Sequence, residues 1–370
     1  MEFSVEQEEL ARATAAAGRS VSQARDNQAL GGILVELSDG RLTVSATDGN
    51  RSIKVPVHLA GTPDGEGRVL LPGKILPDVA NSLRPGTVEV AFRPSEKDVE
   101  IKSGTSIFHV RTMNADDFPP LPGLGDGAVS LDREALVETI DLVAGAASTG
   151  DMRPVLSAVQ VTIQGDAMTM AATDSYRLAV KETKLPASAG VEVEANVPAE
   201  SLKELVRILG GTESDQVKVS IGDREAVFDV DGTVFSTTMV EGQFPKYQQL
   251  FPESWEHDVR LSRDELLESV RRVGRMLDRG RPIKITLAPG ELTLTAETPE
   301  VGDASETIPA GFEGEEMTVG FNHEYFKDGV EAVNGEEVML KLISPLRPGL
   351  IQPIGSEDFR YLVMPLRLGD

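Results

Sequence analysis

The stretch Ala171-Ala172-Thr173-Asp174-Ser175-Tyr176-Arg177-Leu178 decides the fold, because the 370-residue chain contains it almost three times. Leu42-Thr43-Val44-Ser45-Ala46-Thr47-Asp48 is an upstream version, and Leu292-Thr293-Leu294-Thr295-Ala296-Glu297-Thr298 is a faded downstream one. Each follows a turn (Asp39-Gly40, Gly165-Asp166, Pro289-Gly290) and alternates its side chains with the two-residue period of a strand. Asp48 and Asp174 lie 126 residues apart, and the same offset relates Pro72 to Pro198 and Phe118 to Phe244. A period that long is a whole domain, since solenoid units run about 20–50 residues.

Outward from these strands, one programme runs three times. Helices are expected over 5–21 and 73–83, with strands at 32–37, 42–46, 51–57, 87–92, 99–102 and 106–112. A proline-rich break follows at Phe118-Pro119-Pro120-Leu121-Pro122-Gly123. The second pass expects helices over 131–148, with Asp132 as N-cap, and 196–209, closed by Gly210-Gly211. Phe244-Pro245-Lys246-Tyr247 breaks the chain again. The third pass expects helices over 261–277, with Ser262 as N-cap, and 319–333. Helix–strands–helix–strands in triplicate predicts an α+β protein of tandem domains.

Hydrophobic residues make up 40% of the chain and no apolar run approaches the roughly 18 residues of a membrane span. The first residues lack the order of a signal peptide, and there are no cysteines. A cytoplasmic protein is expected. The formal net charge of −24 argues against a protein that coats nucleic acid over its whole surface. No phosphate-binding glycine loop, dinucleotide fingerprint or nucleophile elbow occurs. The histidines, His58, His109, His257 and His323, have no metal-ligand spacing. Asp174 is expected to brace a turn by accepting backbone N–H bonds. A repeated protein without a chemical site reads as a binding platform. The alternative is a metal-dependent hydrolase on duplicated domains, using Asp48 and Asp174.

Two features suggest what is bound. Over 261–277, Leu266, Val270, Val273 and Leu277 fall within about 60° at roughly 100° per residue, and Arg271, Arg272, Arg275 and Arg279 lie opposite. Arg12, Arg19, Lys203 and Arg207 also follow acidic first turns, a pattern that suits the helix dipole as well as a ligand. The chain also ends on an apolar segment, Leu362-Val363-Met364-Pro365-Leu366, either a last core strand or a partner site.

Together these features resemble the bacterial DNA sliding clamp family, the β subunit of the replicative DNA polymerase III. The likeness covers essentially all of the chain. Its most specific pieces are Ala172-Thr173-Asp174-Ser175-Tyr176-Arg177-Leu178-Ala179, Phe244-Pro245-Lys246-Tyr247, Ser344-Pro345-Leu346-Arg347-Pro348 and Tyr361-Leu362-Val363-Met364-Pro365-Leu366-Arg367-Leu368.

The resemblance implies an α+β fold of three tandem DNA-clamp domains, 1–122, 123–250 and 251–370. Each packs two helices on antiparallel sheet, and two chains close head to tail as a dimeric ring. It implies a non-catalytic DNA polymerase processivity factor without cofactor or metal, encircling duplex DNA without reading sequence. Polymerase, clamp loader and repair proteins would dock through short apolar peptides. A paralogue serving repair or antibiotic resistance is the neighbouring alternative.

Carried over by position, the partner pocket would use Leu156, Thr173, Tyr176, Arg177, Leu178, Pro245, Leu250, Leu362, Val363, Met364, Pro365, Leu366 and Arg367. DNA would face Arg12, Arg19, Arg25, Lys203, Arg207, Arg271, Arg272, Arg275 and Arg279. The dimer seam would bring Phe108 and Val110 to Met276 and Leu277. Three departures stand out. Ser175-Tyr176 occupies a place where many members carry Gly-His, Gln249 one where some have Arg, and Asp26-Asn27-Gln28-Ala29 lacks an expected proline.

Overall fold

The computed structural model describes residues 1–23, 27–150, 152–185, 190, 192–278 and 280–368. The first repeat runs β1 (Glu2–Glu6), α1 (Gln7–Gly18), β2 (Gly32–Ser38), β3 (Arg41–Thr47), β4 (Arg51–Val57), β5 (Gly67–Pro72), α2 (Ile75–Ser82), β6 (Thr87–Arg93), β7 (Asp98–Ser103) and β8 (Ser106–Arg111). The second follows the same order: β9 (Val129–Asp132), α3 (Arg133–Val143), β10 (Ala158–Gln164), β11 (Ala167–Thr173), β12 (Arg177–Lys184), β13 (Val193–Pro198), α4 (Ala199–Leu209), β14 (Gln216–Ile221), β15 (Glu225–Val230) and β16 (Thr233–Thr238). The third is β17 (His257–Ser262), α5 (Arg263–Val273), β18 (Pro282–Ala288), β19 (Glu291–Thr298), β20 (Gly302–Pro309), β21 (Met317–Asn322), α6 (His323–Ala332), β22 (Glu337–Leu342), β23 (Gly349–Pro353) and β24 (Phe359–Val363), with a short β25 (Pro365–Leu366) added.

The helix starts differ from the sequence reading: 196–198 and 319–322, expected in second helices, lie in strands β13 and β21, and each first helix also starts late. The residues just before the first helix are strands β1, β9 and β17, where the helix was expected to begin at 5, 131 and 261. The reason is a short period-2 pattern. Phe3 and Val5, Leu131, and Val259 and Leu261 are buried on one face. Each of these strands pairs antiparallel with the strand after the second helix: β1 with β6, β9 with β14, β17 with β22. Asp132 does cap α3, accepting from Ala135 N at 2.9 Å. Ser262 makes no side-chain cap; the Arg263 N–H goes instead to Glu336 O at 2.9 Å.

The chain forms two compact units, and they are out of phase with the repeats. One comprises Met1–Leu136 and Glu204–Met239, the other Val137–Lys203 and Val240–Asp370. The first holds a sheet β1-β6-β7-β8 and an eight-stranded sheet β5-β2-β3-β4-β16-β15-β14-β9. The second holds an eight-stranded sheet β13-β10-β11-β12-β24-β23-β22-β17 and a five-stranded sheet β20-β19-β18-β21-β25. Each eight-stranded sheet is thus stitched from two repeats, at β4–β16 and at β12–β24.

Helices pack on these sheets through one apolar face. In α1 that face carries Leu10, Ala11, Ala13 and Ala17 with the buried Gln7 and Thr14, and Gln7 Nε2 donates to Ala80 O of α2 at 2.8 Å. In α5, Leu266, Val270 and Val273 are buried as the helical period requires. In α6, Phe326 stacks on Phe321 at 5.4 Å between ring centres. Each large side chain so buried contributes about 1.5–3 kcal/mol. No described helix is long and apolar enough to cross a membrane.

Candidate partner groove and nucleic-acid face

In the second unit, β11 delivers Thr173 and Asp174 to a tight turn that returns as β12. Thr173 Oγ1 donates to Arg177 O at 2.6 Å and accepts from Ser175 N at 3.1 Å. Asp174 Oδ1 accepts from Tyr176 N and Arg177 N at 2.9 and 3.0 Å, so it braces the turn as expected. Ser175 sits at φ 79°, a left-handed conformation that favours glycine. Its counterpart in the first repeat is Gly49, at φ 95°. A glycine at 175 would adopt this conformation without a Cβ penalty, as Gly49 does in the first repeat.

A buried apolar cluster is built where β12 meets β24. Leu178 lies directly across from Leu362, and Thr173 across from Leu178. Leu178 and Leu362 cluster with Ala171, Val180, Phe244, Tyr247 and Leu350, and Val155, Phe251 and Trp255 pack on the cluster. Leu156 is buried in the turn beside Val155. Tyr176 and Leu250 stay exposed at 59% and 40%, and Pro245 and Arg367 are also exposed. Met364 donates its N–H to Tyr176 O at 2.8 Å, and the half-buried Pro365-Leu366 pair then joins β21.

Two residues assigned to the pocket do not belong to this face. Arg177 and Val363 pair with each other in register, one step from Leu178 and Leu362, so their side chains emerge on the opposite side of the sheet. Val363 is fully buried. The Arg177 guanidinium bonds Asp174 (3.1 Å), Asp328 of α6 (2.7 Å), Tyr361 Oη (3.4 Å) and Gly145 O (2.7 Å), and lies over the Tyr325 ring at 4.3 Å. Burial opposes its charge, but Tyr361, Asp174 and Asp328 override burial and hold its pKa above the ordinary arginine value. Burial likewise pushes the Tyr361 phenol up. Arg177 therefore staples β12, the end of α3, α6 and β24 together. Leu346, 74% exposed, was not assigned to the site. It sits in the turn before β23, whose Gly349 pairs with Val363.

The first unit contains the same junction with different residues. Ser52 lies across from Ser236, as Leu178 does from Leu362, 126 residues earlier in each strand. Both serines are buried at 3% exposure and share a hydrogen bond of 2.7 Å. Arg51 and Asp48 repeat the Arg177–Asp174 pair. Lys54 and Ser45 then line a cavity of about 570 Å³ beside Phe118, Pro119 and Pro120. Both Asp48 and Asp174 are consumed by their turns and arginines, which leaves the hydrolase reading without a site. Among the described residues no three His, Asp or Glu side chains gather as a metal would need.

Six of the seven described cations assigned to DNA are paired. In the first unit, Arg12 meets Glu9 at 2.8 Å, and Arg19 and Arg207 share the buried carboxylate of Glu204. Burial would raise the Glu9 pKa, but hydrogen bonds from Arg12 and His58 override it and bring it to about 2. In the second unit, Lys203 meets Glu200 at 2.8 Å, Arg271 meets Glu268 and Glu331 at 3.0 and 2.8 Å, and Arg272 meets Glu306 at 2.6 Å. Arg275 is exposed with no carboxylate partner among the described residues. Arg25 and Arg279 lie outside the described residues.

All four sheets are open; among their edge strands are β8, which ends the four-stranded sheet of the first unit, and β20, which ends the five-stranded sheet of the second. Of the assigned seam residues, Phe108, Met276 and Leu277 are half-buried. Val110 is already buried within the single chain, at 6% exposure, so it has little surface to offer. Ile107 on β8 and Val301 before β20 are the exposed apolar residues there, at 55% and 63%.

Three family models tile the chain in order. The DNA polymerase III beta subunit N-terminal domain matches residues 1–122, the central domain 130–246 and the C-terminal domain 248–367. The chain belongs to the DNA polymerase III beta subunit family. It is a beta sliding clamp, a processivity factor and a non-catalytic subunit of the polymerase. The beta sliding clamp of Streptomyces coelicolor is 30% identical over the full length of both chains. The beta subunit of Thermotoga maritima is 25% identical and superposes over all of both chains with a TM-score of 0.92. The Pseudomonas aeruginosa clamp solved bound to griselimycin, also 25% identical over all of both chains, has a TM-score of 0.93.

Proposed function

We propose that two copies of this chain close into a ring around duplex DNA, and that the groove floored by Leu178 and Leu362 tethers the polymerase, the clamp loader and repair proteins by short apolar peptides. The observation that carries the tethering is the apolar cluster that holds them. Two leucines from sequence-distant strands lie in register, and Tyr176, Leu250 and Leu346, on turns adjoining the clustered residues, are exposed. An apolar slot with a few polar handles is the usual form of a peptide site. The open edges support the ring. If β8 of one copy pairs with β20 of its partner, two such seams satisfy both edges and closure is complete. The arginine-bearing helices then suit weak contacts to phosphates, which position without reading sequence. Domain boundaries at 1–122, 123–250 and 251–370 and a cytoplasmic location complete the reading.

The test is calorimetric titration with a polymerase tail peptide. Met364→Ala should weaken binding by about 1–3 kcal/mol. Unchanged affinity removes the groove assignment. Light scattering should give a dimer of twice 39.7 kDa; a monodisperse monomer at micromolar concentration removes the ring.

A further inference from the structure

We propose that carboxylates on the DNA-facing surface hold its arginines in internal ion pairs, so that phosphates gain contacts only by exchange and the surface stays near electrical neutrality. This rests on the DNA-encircling reading above. Of the seven described cations assigned to DNA, six are paired, and they meet six carboxylates: Glu9, Glu200, Glu204, Glu268, Glu306 and Glu331. The arrangement is not confined to neighbours on one helix. Arg271 of α5 reaches Glu331 of α6, 60 residues away, and Arg19 at the end of α1 reaches Glu204 of α4, 185 residues away. Arg271 is held from both sides, by Glu268 and Glu331.

The physical consequence concerns counterions. A cation that neutralises a phosphate releases the ions condensed on DNA, and each such contact steepens the salt dependence of binding by about 0.9 in log–log slope. A guanidinium already facing a carboxylate brings that negative charge to the DNA with it. Exposed ion pairs contribute little stability, so the carboxylate yields readily to a passing phosphate and returns when it leaves. The surface can then hand phosphates from one arginine to the next without a deep well at any position, as sliding requires.

The experiment compares the full-length dimer with a Glu268→Gln/Glu331→Gln variant, which frees Arg271 and touches only half-exposed side chains. Affinity for a short linear duplex is read from about 50 to 200 mM salt. Over that range affinity should fall about 3.5-fold further in the variant than in the wild type, one extra phosphate contact's worth. Arg271→Ala should change little in the wild type and cancel the gain in the variant. An unchanged slope in the variant, or an equal loss on Arg271→Ala in both backgrounds, overturns the proposal. A separate arm loads each protein onto nicked circular DNA and then linearises it. Retention on circles and release on linearisation, together with an unchanged slope, sinks this proposal alone. Failure to be retained on circles sinks the encircling reading beneath it.

Discussion

Gly329→Ala tests the packing behind the groove. Gly329 lies inside α6, where replacing glycine by alanine ordinarily stabilises a helix by about 1 kcal/mol. Here a Cβ would stand 2.5 and 2.7 Å from Tyr361 Cδ1 and Cε1, and 2.9 Å from Ile351 Cδ1. Carbon atoms prefer about 3.5–4.0 Å, so three contacts are short by roughly an ångström. Tyr361 cannot retreat. It is 3% exposed, lies between Ala179 of β12 and Ile351 of β23, and its hydroxyl meets Arg177. Overpacking costs about 1–3 kcal/mol, and with both neighbours fixed in one sheet the upper half of that range applies. The net expectation is a loss of about 1–2 kcal/mol. Urea unfolding should show a lower midpoint at unchanged slope, and Ile351→Val should restore part of the loss by removing one of the three contacts. Because Leu362 follows Tyr361 on β24, peptide affinity should fall as well. A Gly329→Ala protein as stable as the wild type, or more so, refutes the reasoning.

Other substitutions report on other parts of the molecule. Ser175→Gly should stabilise by up to about 1 kcal/mol in thermal unfolding, since a left-handed residue with a Cβ costs about 1–2 kcal/mol and glycine's extra chain entropy takes back part of that; equal or lower stability argues against strain at Ser175. Glu9, held at about 2 in the folded protein against an ordinary 4.5, contributes stability that is full above pH 4.5 and lost as the pH falls toward 2. Glu9→Gln should therefore flatten the acid limb of the stability profile, and an unchanged limb would remove the Arg12–Glu9–His58 cluster as its source. Ile107→Lys, on the open edge β8, should yield monomers by light scattering while leaving peptide affinity intact; a surviving dimer places the seam elsewhere.

Much of this molecule was legible in its sequence because its signals are local or repeated. The 126-residue offset located the repeats, the helical period located the buried face of α5, and the Asp174 brace follows from short-range turn chemistry. What the sequence concealed depends on distant pairing. Which face of β12 carries Leu178 and which carries Arg177 is settled only when β24 pairs beside it. Glu204 gives no local sign that it serves an arginine at the end of α1. The mismatch between three repeats and two compact units is likewise invisible until β4 meets β16 and β12 meets β24.

The serine-floored seam has a consequence for traffic. If the leucine-floored junction is the docking site, a chain with one greasy junction and one hydroxylated junction offers a single berth, and a closed pair of chains offers two. On the proposed reading, proteins that use the clamp must take turns. Which of them holds a berth at a given moment then follows from local abundance and departure rate, and a slow-leaving occupant would stall the queue behind it.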